Sequence, residues 1–227
     1  MKIVRLVGAW VLLASAMVSA GALAASKAEM EEAMSHDGLQ KVTVPGLAQA
    51  YARPGATLAG YSRVLIEPVQ VAFSRNWDPT RTGSRLKLSK EERENIRNGV
   101  AAIVQEEFVK ELQDRSSYKV VNESGADVLR VKVNIVDLYV NAPDTESVSR
   151  SRTYTVSAGQ MTLIAELFDS ESGEILARVV DRREARNDDA LRLSSSVVKR
   201  GEAQEIAANW ARILRTALDK AHGIGKP

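Results

Sequence analysis

Between Val128 and Arg183 the chain alternates apolar and polar residues, and this pattern limits its possible folds more than any other. Successive side chains of a β-strand point to opposite faces, so the alternation predicts strands with one buried face. Three strands are expected, at Val128–Val140, Thr153–Phe168 and Ile175–Arg183. The turn-forming sequence Asp169–Gly173 joins the last two into a hairpin. The middle of the chain is therefore expected to form an antiparallel sheet.

An amphipathic helix is predicted on each side of these strands. Ser89 and Glu92 form the S-x-x-E capping box that marks a helix start, and apolar residues then recur at steps of three and four. A second such stripe runs from about Glu202 to Lys220. Further strands are predicted at Arg63–Phe73 and Tyr118–Val121. This order predicts an α+β fold, a two-layer sandwich with a mostly antiparallel sheet and the two amphipathic helices on one face.

The alternation fails at Asp137, which falls among the apolar residues of its strand. We expect a bulge there, with a kink near Val136. An acid at this point needs a partner, and an ion pair with Arg150 or Arg152 would supply one. Asp137 is therefore a candidate binding residue whose simplest role is structural.

The N-terminus has the features of an export signal. Lys2 and Arg5 precede the uncharged apolar run Leu6–Ala20, and Ala22–Ala24 supplies the small residues of a cleavage site. We expect residues 1–24 to be a signal peptide that is cleaved after Ala24, and the mature protein to be periplasmic or secreted. The alternative is an uncleaved anchor, because ~20 uncharged residues can cross a bilayer.

The mature chain is expected to be one domain with two less regular ends. Residues 25–60 contain repeated Gly and Pro residues, which exclude a long regular element and predict an N-terminal wrap over the domain. Residues 61–220 are expected to form the α+β domain, since ~200 residues can bury one core without disulfides. Residues 221–227 are expected to be a loose tail.

Charge and cysteine content exclude several classes of function. The chain has 31 basic and 29 acidic residues, and removal of Lys2 and Arg5 with the leader leaves 29 of each. This balance gives no support for nucleic acid as a partner. The absence of cysteine excludes disulfides, thiol catalysis, thiolate metal sites and a lipid attached to an N-terminal cysteine.

Motifs for metals and cofactors are missing from the sequence as well. The two histidines, His36 and His222, have no second metal ligand at helical or hairpin spacing, so no metal is predicted. The motifs G-x-S-x-G and H-E-x-x-H and the Gly-rich phosphate loops are missing, so no cofactor is predicted either. These absences favour a protein that binds over one that catalyses.

The remaining candidates are side chains that could bind a partner. Arg150, Arg152 and Tyr154 could hold a carboxylate or phosphate, because guanidinium groups fit planar anions. The same residues could equally be a solvated hairpin end. Trp77 could be a recognition aromatic or a plug at the rim of the core.

Paired carboxylates are the one catalytic arrangement that the sequence leaves open. In glycoside hydrolysis one carboxyl stays protonated while the other is ionised. Asp137 and Asp144 could form such a pair, and Glu146 and Asp169 are further acids near strand ends or loops. The alternative is that Asp144, Glu146 and Asp169 are turn residues and solvated charges.

A series of short segments carries the strongest relationship to other proteins. These segments are Tyr51–Ala56, Val64–Val69, Val71–Asp78, Ala126–Leu129, Ala142–Asp144, Ser157–Leu163, Glu166–Asp169 and Gly173–Ala177. Together they resemble a bacterial envelope family catalogued as domain of unknown function 3313, over about Asp37 to Leu218. Many of its members resemble lipoproteins, whereas this chain lacks the lipid-bearing cysteine. The family has no established catalytic residue, so the resemblance implies none here.

We therefore expect an exported periplasmic protein that binds or assembles components of the cell envelope without catalysis. Its expected partners are envelope proteins or cell-wall glycan. A periplasmic hydrolase with paired carboxylates is the alternative. A structural envelope protein without a small ligand is a third hypothesis.

Overall fold

An eight-stranded mixed sheet and two long helices make up the part of the chain that the structure describes. The structure is a computed structural model, and it describes residues 32, 34–78, 89–114, 116, 118–141, 157–184 and 196–224. The strands are β1 Gln40–Val42, β2 Gln49–Ala52, β3 Arg63–Ile66, β4 Gln70–Phe73, β5 Lys119–Val120, β6 Val128–Asn141, β7 Ser157–Asp169 and β8 Ile175–Glu184. The helices are α1 Lys90–Gln113 and α2 Ser196–Ala221.

The sheet is antiparallel over most of its width. Its strands lie in the order β1-β2-β8-β7-β6-β3-β5, and β4 also pairs with β6. Neighbours from β1 across to β6 are antiparallel, and they include the predicted hairpin of β7 and β8. β3 is parallel to β5 and β6, and β4 is parallel to β6. The described chain is therefore an α+β fold with a mostly antiparallel sheet, as its sequence predicts.

Helix α1 begins as its sequence predicts. The Ser89 hydroxyl accepts a hydrogen bond from the Glu92 backbone N–H at 3.1 Å, and the Glu92 carboxylate accepts one from the Ser89 backbone N–H at 2.6 Å. This capping box satisfies two donors that would otherwise be unpaired at the helix start. The buried side of α1 follows the predicted apolar stripe from Ile96 to Leu112.

The N-terminal third contains more strands than its pattern indicates. The single strand expected at Arg63–Phe73 is instead two strands, β3 and β4. Pro68 lies in the gap between them, and proline has no N–H to donate to a strand ladder. The N-terminal wrap contains β1 and β2, which extend the sheet beside β8.

Strand β6 contains the bulge that the position of Asp137 predicts. The pairing of β6 with β7 shifts register between Val136 and Tyr139. Asp137 has a φ of 52°, in the left-handed region that aspartate tolerates better than most residues. Beyond it Leu138 and Val140 are fully buried, so the strand regains its inward alternation one position later.

The two helices pack against each other within the main hydrophobic core. Helix α2 contributes three small buried residues, Ala203, Ala207 and Ala211, which allow a close approach. Arg215 of α2 donates to the carboxylate of Glu111 of α1 at 3.0 Å. The Glu111 side chain is only 3 % exposed, so this ion pair lies inside the helix contact.

Arginine side chains help to attach the N-terminal wrap to the sheet. Arg178 of β8 donates to Glu166 at 2.9 Å and to Asp37 at 2.5 Å. Arg53 at the end of β2 donates to the carbonyl of Ile175 at 2.8 Å. The wrap is therefore held by charged hydrogen bonds as well as by strand pairing.

Candidate functional site

An apolar cavity of about 210 Å³ lies between the N-terminal wrap, the strands β6 to β8 and helix α2. None of the described residues that line it carries a charge. Its polar side-chain atoms are those of Tyr51, Thr57 and Trp210. A water molecule in such a space finds few hydrogen-bonding partners, so cavities of this kind stay dry and accept apolar molecules. This cavity is the candidate functional site.

Small side chains leave the space open. Strands β7 and β8 contribute Ala165 and Ala177, and helix α2 contributes Ala217. The wrap contributes Ala50, Ala52 and Ala56. Protein interiors are normally packed as densely as organic crystals, so small residues that face one another from three sides produce a void.

One buried carboxylate joins the three walls of the cavity. Asp181 of β8 accepts hydrogen bonds from the indole N–H of Trp210 at 2.7 Å and from the backbone N–H of Ala48 at 2.9 Å. Arg183 also donates to it, at 2.6 Å. Because its side chain is only 4 % exposed, these donors replace water around the charge. Asp181 thereby fixes helix α2 and the wrap relative to the sheet.

Gly46 closes the wrap over helix α2. Its φ is +86°, a conformation that favours glycine. A Cβ atom at this position would lie 3.2 Å from the Cδ1 of Ile213, so a side chain would also press on the helix. The carbonyl of Gly46 accepts a hydrogen bond from Arg183. Pro45 and Gly46 form a turn, and the nearby Ile213 side chain explains why position 46 is a glycine.

An open groove on the surface adjoins the cavity. The two share six lining residues, which are Val44, Ala56, Thr57, Leu58, Ile213 and Ala217. The groove is also lined by Thr43 of the wrap and by Arg212, Thr216 and Lys220 of helix α2. Arg212 and Lys220 are exposed and are the charged residues among the described groove residues. The groove therefore combines an apolar base with a cationic rim.

Trp77 lies in the main core, away from the cavity. Its ring stacks on Phe73 with centroids 4.2 Å apart, and its indole N–H donates to the carbonyl of Val140 at 2.9 Å. The residue is 8 % exposed, as expected for an aromatic side chain that plugs the rim of the core. Its role in binding a partner stays a prediction.

The other predicted binding residues do not line the cavity within the described chain. Asp137 is exposed at the bulge of β6. Asp144, Arg150, Arg152 and Tyr154 lie outside the described residues, as does the predicted ion pair of Asp137 with Arg150 or Arg152. The paired-carboxylate hydrolase therefore stays a prediction.

Asp169 organises the turn between β7 and β8. Hydrogen bonds from the backbone N–H and hydroxyl of Ser172, both at 2.7 Å, lower the pKa of its carboxyl. Tyr61 donates to the same carboxylate at 3.0 Å. Burial, followed by this hydrogen bond, raises the pKa of Tyr61 to about 12.

Across the described ranges, no group of three or more His, Cys, Asp or Glu residues could hold a metal ion. Among the same residues, neither helix combines the length and apolar content needed to cross a bilayer. The predicted leader and its cleavage site at Ala24 lie outside them.

Sequence patterns did not reveal the cavity. Its lining combines residues that are far apart in the chain, such as Ala50, Ala165 and Ala217, and each is unremarkable in its own segment. The alternation of Val42 and Val44 and of Ala50 and Ala52 is consistent with β1 and β2 but too short to predict them. It does not indicate the void beneath the wrap.

Three solved structures are distantly similar to this chain. A dodecameric PelC variant from Paraburkholderia phytofirmans has a TM-score of 0.36 and 9 % identity, covering 78 % of this chain and 97 % of its own. A Xanthomonas campestris protein assigned to DUF330 has a TM-score of 0.36 and 11 % identity, covering 74 % and 93 %. A lipoprotein candidate from Caulobacter crescentus has a TM-score of 0.29 and 16 % identity, covering 75 % and 95 %. None is similar enough to indicate the function of this chain.

No curated protein matches the sequence. The model of one family matches residues 29–214, which is most of the chain, and that family is described as "Protein of unknown function (DUF3313)". The chain therefore belongs to the DUF3313 family, as its short segments predicted.

Proposed function

We propose that this protein is an exported, non-catalytic binding module of the cell envelope that holds an apolar ligand in its cavity. The observation that carries this proposal is the apolar cavity of about 210 Å³. A cavity of roughly 150 Å³ with a similar lining binds benzene or xenon. The space in this protein is therefore large enough for an aromatic ring or a short alkyl chain.

The lining favours an apolar ligand over the other predicted partners. A cell-wall glycan would bring many hydroxyl groups into the cavity, where few side chains could hydrogen-bond to them. The described lining also offers no carboxylate, histidine or amine for acid–base catalysis. Binding without chemistry is the function that suits these residues.

The proposed architecture is a two-layer sandwich with both helices on one face of the sheet. Its support is the shared core, in which residues of β6 and β7 are clustered with residues of α1 and α2. The domain would comprise residues 61–220, and the wrap at 25–60 would cover the cavity. The leader at Lys2–Ala24 supports a periplasmic location after cleavage.

Fluorescence of the neutral probe N-phenylnaphthylamine tests the binding proposal. The protein is expressed with its leader and purified from the periplasm, and N-terminal sequencing is expected to begin at Ala25. Emission should rise on binding and should be lost in Ala165→Leu and Ala177→Leu, which fill the cavity. These variants should keep or gain thermal stability, since cavity filling commonly adds ~0.5–2 kcal/mol.

Ala72→Leu is the matched control, because Ala72 is exposed on β4 and does not line the cavity. Its probe binding should equal that of the unmodified protein. Equal binding by all three variants, or no binding by any form, would overturn the proposal. A chain whose sequence still begins at Met1 would overturn cleavage.

A further inference from the structure

We infer that the ligand is a single-chain amphiphile with an anionic head group, its chain in the cavity and its head in the groove beside Arg212 and Lys220. This inference rests on the proposed function and adds the chemical class of the ligand. Its first support is continuity. The cavity and the groove share Ile213 and Ala217 of helix α2, so one elongated molecule can occupy both.

The second support is charge. Arg212 and Lys220 stand two helical turns apart, with Thr216 between them, so the three residues follow one side of α2. No carboxylate is among the described residues that line the groove. An apolar cavity that adjoins a groove with two cations is complementary to a chain that ends in an anion.

Arg212 keeps the capacity to bind such a head group. Its guanidinium lies 3.9 Å from the carboxylate of Glu111, whereas that of Arg215 lies 3.0 Å from the same carboxylate. The Arg212 side chain is 52 % exposed. Arg215 is thus the closer of the two arginines to Glu111, and the planar guanidinium of Arg212 can present donors to a carboxylate or phosphate.

The helix end explains Lys220 but not Arg212. Lys220 lies in the last turn of α2, where a cation compensates the partial negative charge of the helix C-terminus. Arg212 lies more than two turns before Ala221, beyond the reach of that effect. The helix C-terminus therefore accounts for Lys220 and does not account for Arg212.

Displacement of bound N-phenylnaphthylamine tests the head group. The competitors are octanoate, octyl phosphate, octanol and octylamine, all below their micellar or solubility limits. Each anion is expected to bind about three to ten times more tightly than octanol, the range that two partly exposed ion pairs provide. Octylamine is expected to bind more weakly than octanol. The two anionic arms distinguish a carboxylate ligand from a phosphate ligand.

A chain-length series tests the cavity with the same readout. From hexanoate to octanoate, each added methylene group should tighten binding about fourfold. The gain should stop once the chain exceeds the cavity. The double variant Arg212→Gln, Lys220→Gln should reduce anion affinity to that of octanol and leave octanol unchanged. Lys110→Gln, an exposed lysine in the last turn of α1, is the matched control and should have no effect.

The outcomes separate this inference from the proposed function. Equal affinities for octanoate, octyl phosphate and octanol, all lost in Ala165→Leu, would overturn the anionic head group and keep the apolar site. Tighter binding of octylamine would do the same. Failure of every probe and competitor to bind would overturn both. An anion preference that survives the double variant would move the head group away from the groove and so contradict the inference.

Discussion

The indole nitrogen of Trp210 donates a hydrogen bond to the carboxylate of Asp181 at 2.7 Å. Trp210 belongs to α2 and Asp181 to β8, and Ala48 of the wrap donates to the same carboxylate. A single buried anion thus holds together three segments that meet around the cavity. Its loss should affect both stability and binding.

Asp181→Ala should destabilise the protein by ~3–5 kcal/mol, because it leaves the buried donors of Trp210 and Ala48 without their acceptor. Asp181→Asn should cost less, since its side-chain oxygen can still accept one of these bonds. Urea denaturation measures both effects. Glu184→Ala, an exposed acid on the same strand, is the control and should change stability by less than ~0.5 kcal/mol. A similar loss at both positions would contradict the role of Asp181.

Gly46→Ala should destabilise the wrap for two separable reasons. The left-handed φ of +86° costs ~1–2 kcal/mol for a residue with a Cβ, and the new atom would also press on Ile213. At Gly55 the φ is also positive, at +78°, but the space around it is open, so Gly55→Ala should show only the first effect. Gly60→Ala has neither feature and should be nearly neutral. Thermal denaturation of the three variants should rank them in that order, and equal losses at Gly46 and Gly55 would remove the proposed contact.

Asp137→Val should destabilise by ~2 kcal/mol, because β-branched residues fit poorly at a φ of 52°. Asp137→Gly should be tolerated within ~1 kcal/mol, since glycine adopts this φ but loses more entropy on folding. Asn134→Val, on the regular part of the same strand, is the comparison and should be neutral or stabilising. Chemical denaturation gives all three values. If valine were tolerated at position 137, the left-handed bulge would be incorrect.

Arg215→Ala should cost ~1.5–3 kcal/mol, because it removes a charged hydrogen bond to the Glu111 carboxylate inside the helix contact and leaves the guanidinium of Arg212 at 3.9 Å. Arg97→Ala removes an exposed pair with Glu94 on the outer surface of α1 and should cost less than ~1 kcal/mol. Guanidinium would screen both pairs, so urea is the appropriate denaturant. Equal effects of the two substitutions would show that Glu111 finds another partner.

Alkaline pH should destabilise the protein through two tyrosines. Burial, followed by hydrogen bonds to Asp169 and Asp219, raises the pKa values of Tyr61 and Tyr118 from 10.0 to about 12. The protonated phenols are favoured in the folded state, so this stability is present below pH 10 and is lost as the pH rises towards 12. The double variant Tyr61→Phe, Tyr118→Phe should lose less stability over that interval. Urea denaturation at several pH values measures the stability of the protein and of the double variant, and tyrosinate absorbance follows the ionisation of the phenols. Parallel stability profiles for the two proteins would refute the role of these tyrosines.

Local signals in the sequence predicted the elements that form locally. The capping box of Ser89 and Glu92 fixed the start of α1, and the misplaced acid at Asp137 indicated the bulge. The two short strands of the wrap and the interruption at Pro68 were missed, because three or four residues are too few for alternation to stand out.

The candidate site depends on contacts that no local pattern encodes. Gly46 reads as a turn residue, yet its lack of a side chain also matters to Ile213 in the last helix. Asp181 reads as a polar residue on a strand, yet its donors come from Ala48 and Trp210. Trp77 also depends on a distant partner, because its indole N–H donates to the carbonyl of Val140. Burial and partner choice at these positions follow from the tertiary fold.

Helix α2 is the last described element of the chain, yet it completes the core and contacts residues that are synthesised much earlier. Its Arg215 meets Glu111 across 104 positions, and the Ala48 to Asp181 bond spans 133. Such distant contacts slow folding, because long loops must close before the contacts can stabilise anything. The nascent polypeptide should therefore remain open on the ribosome until α2 has been synthesised, with its apolar strands accessible to holdase chaperones.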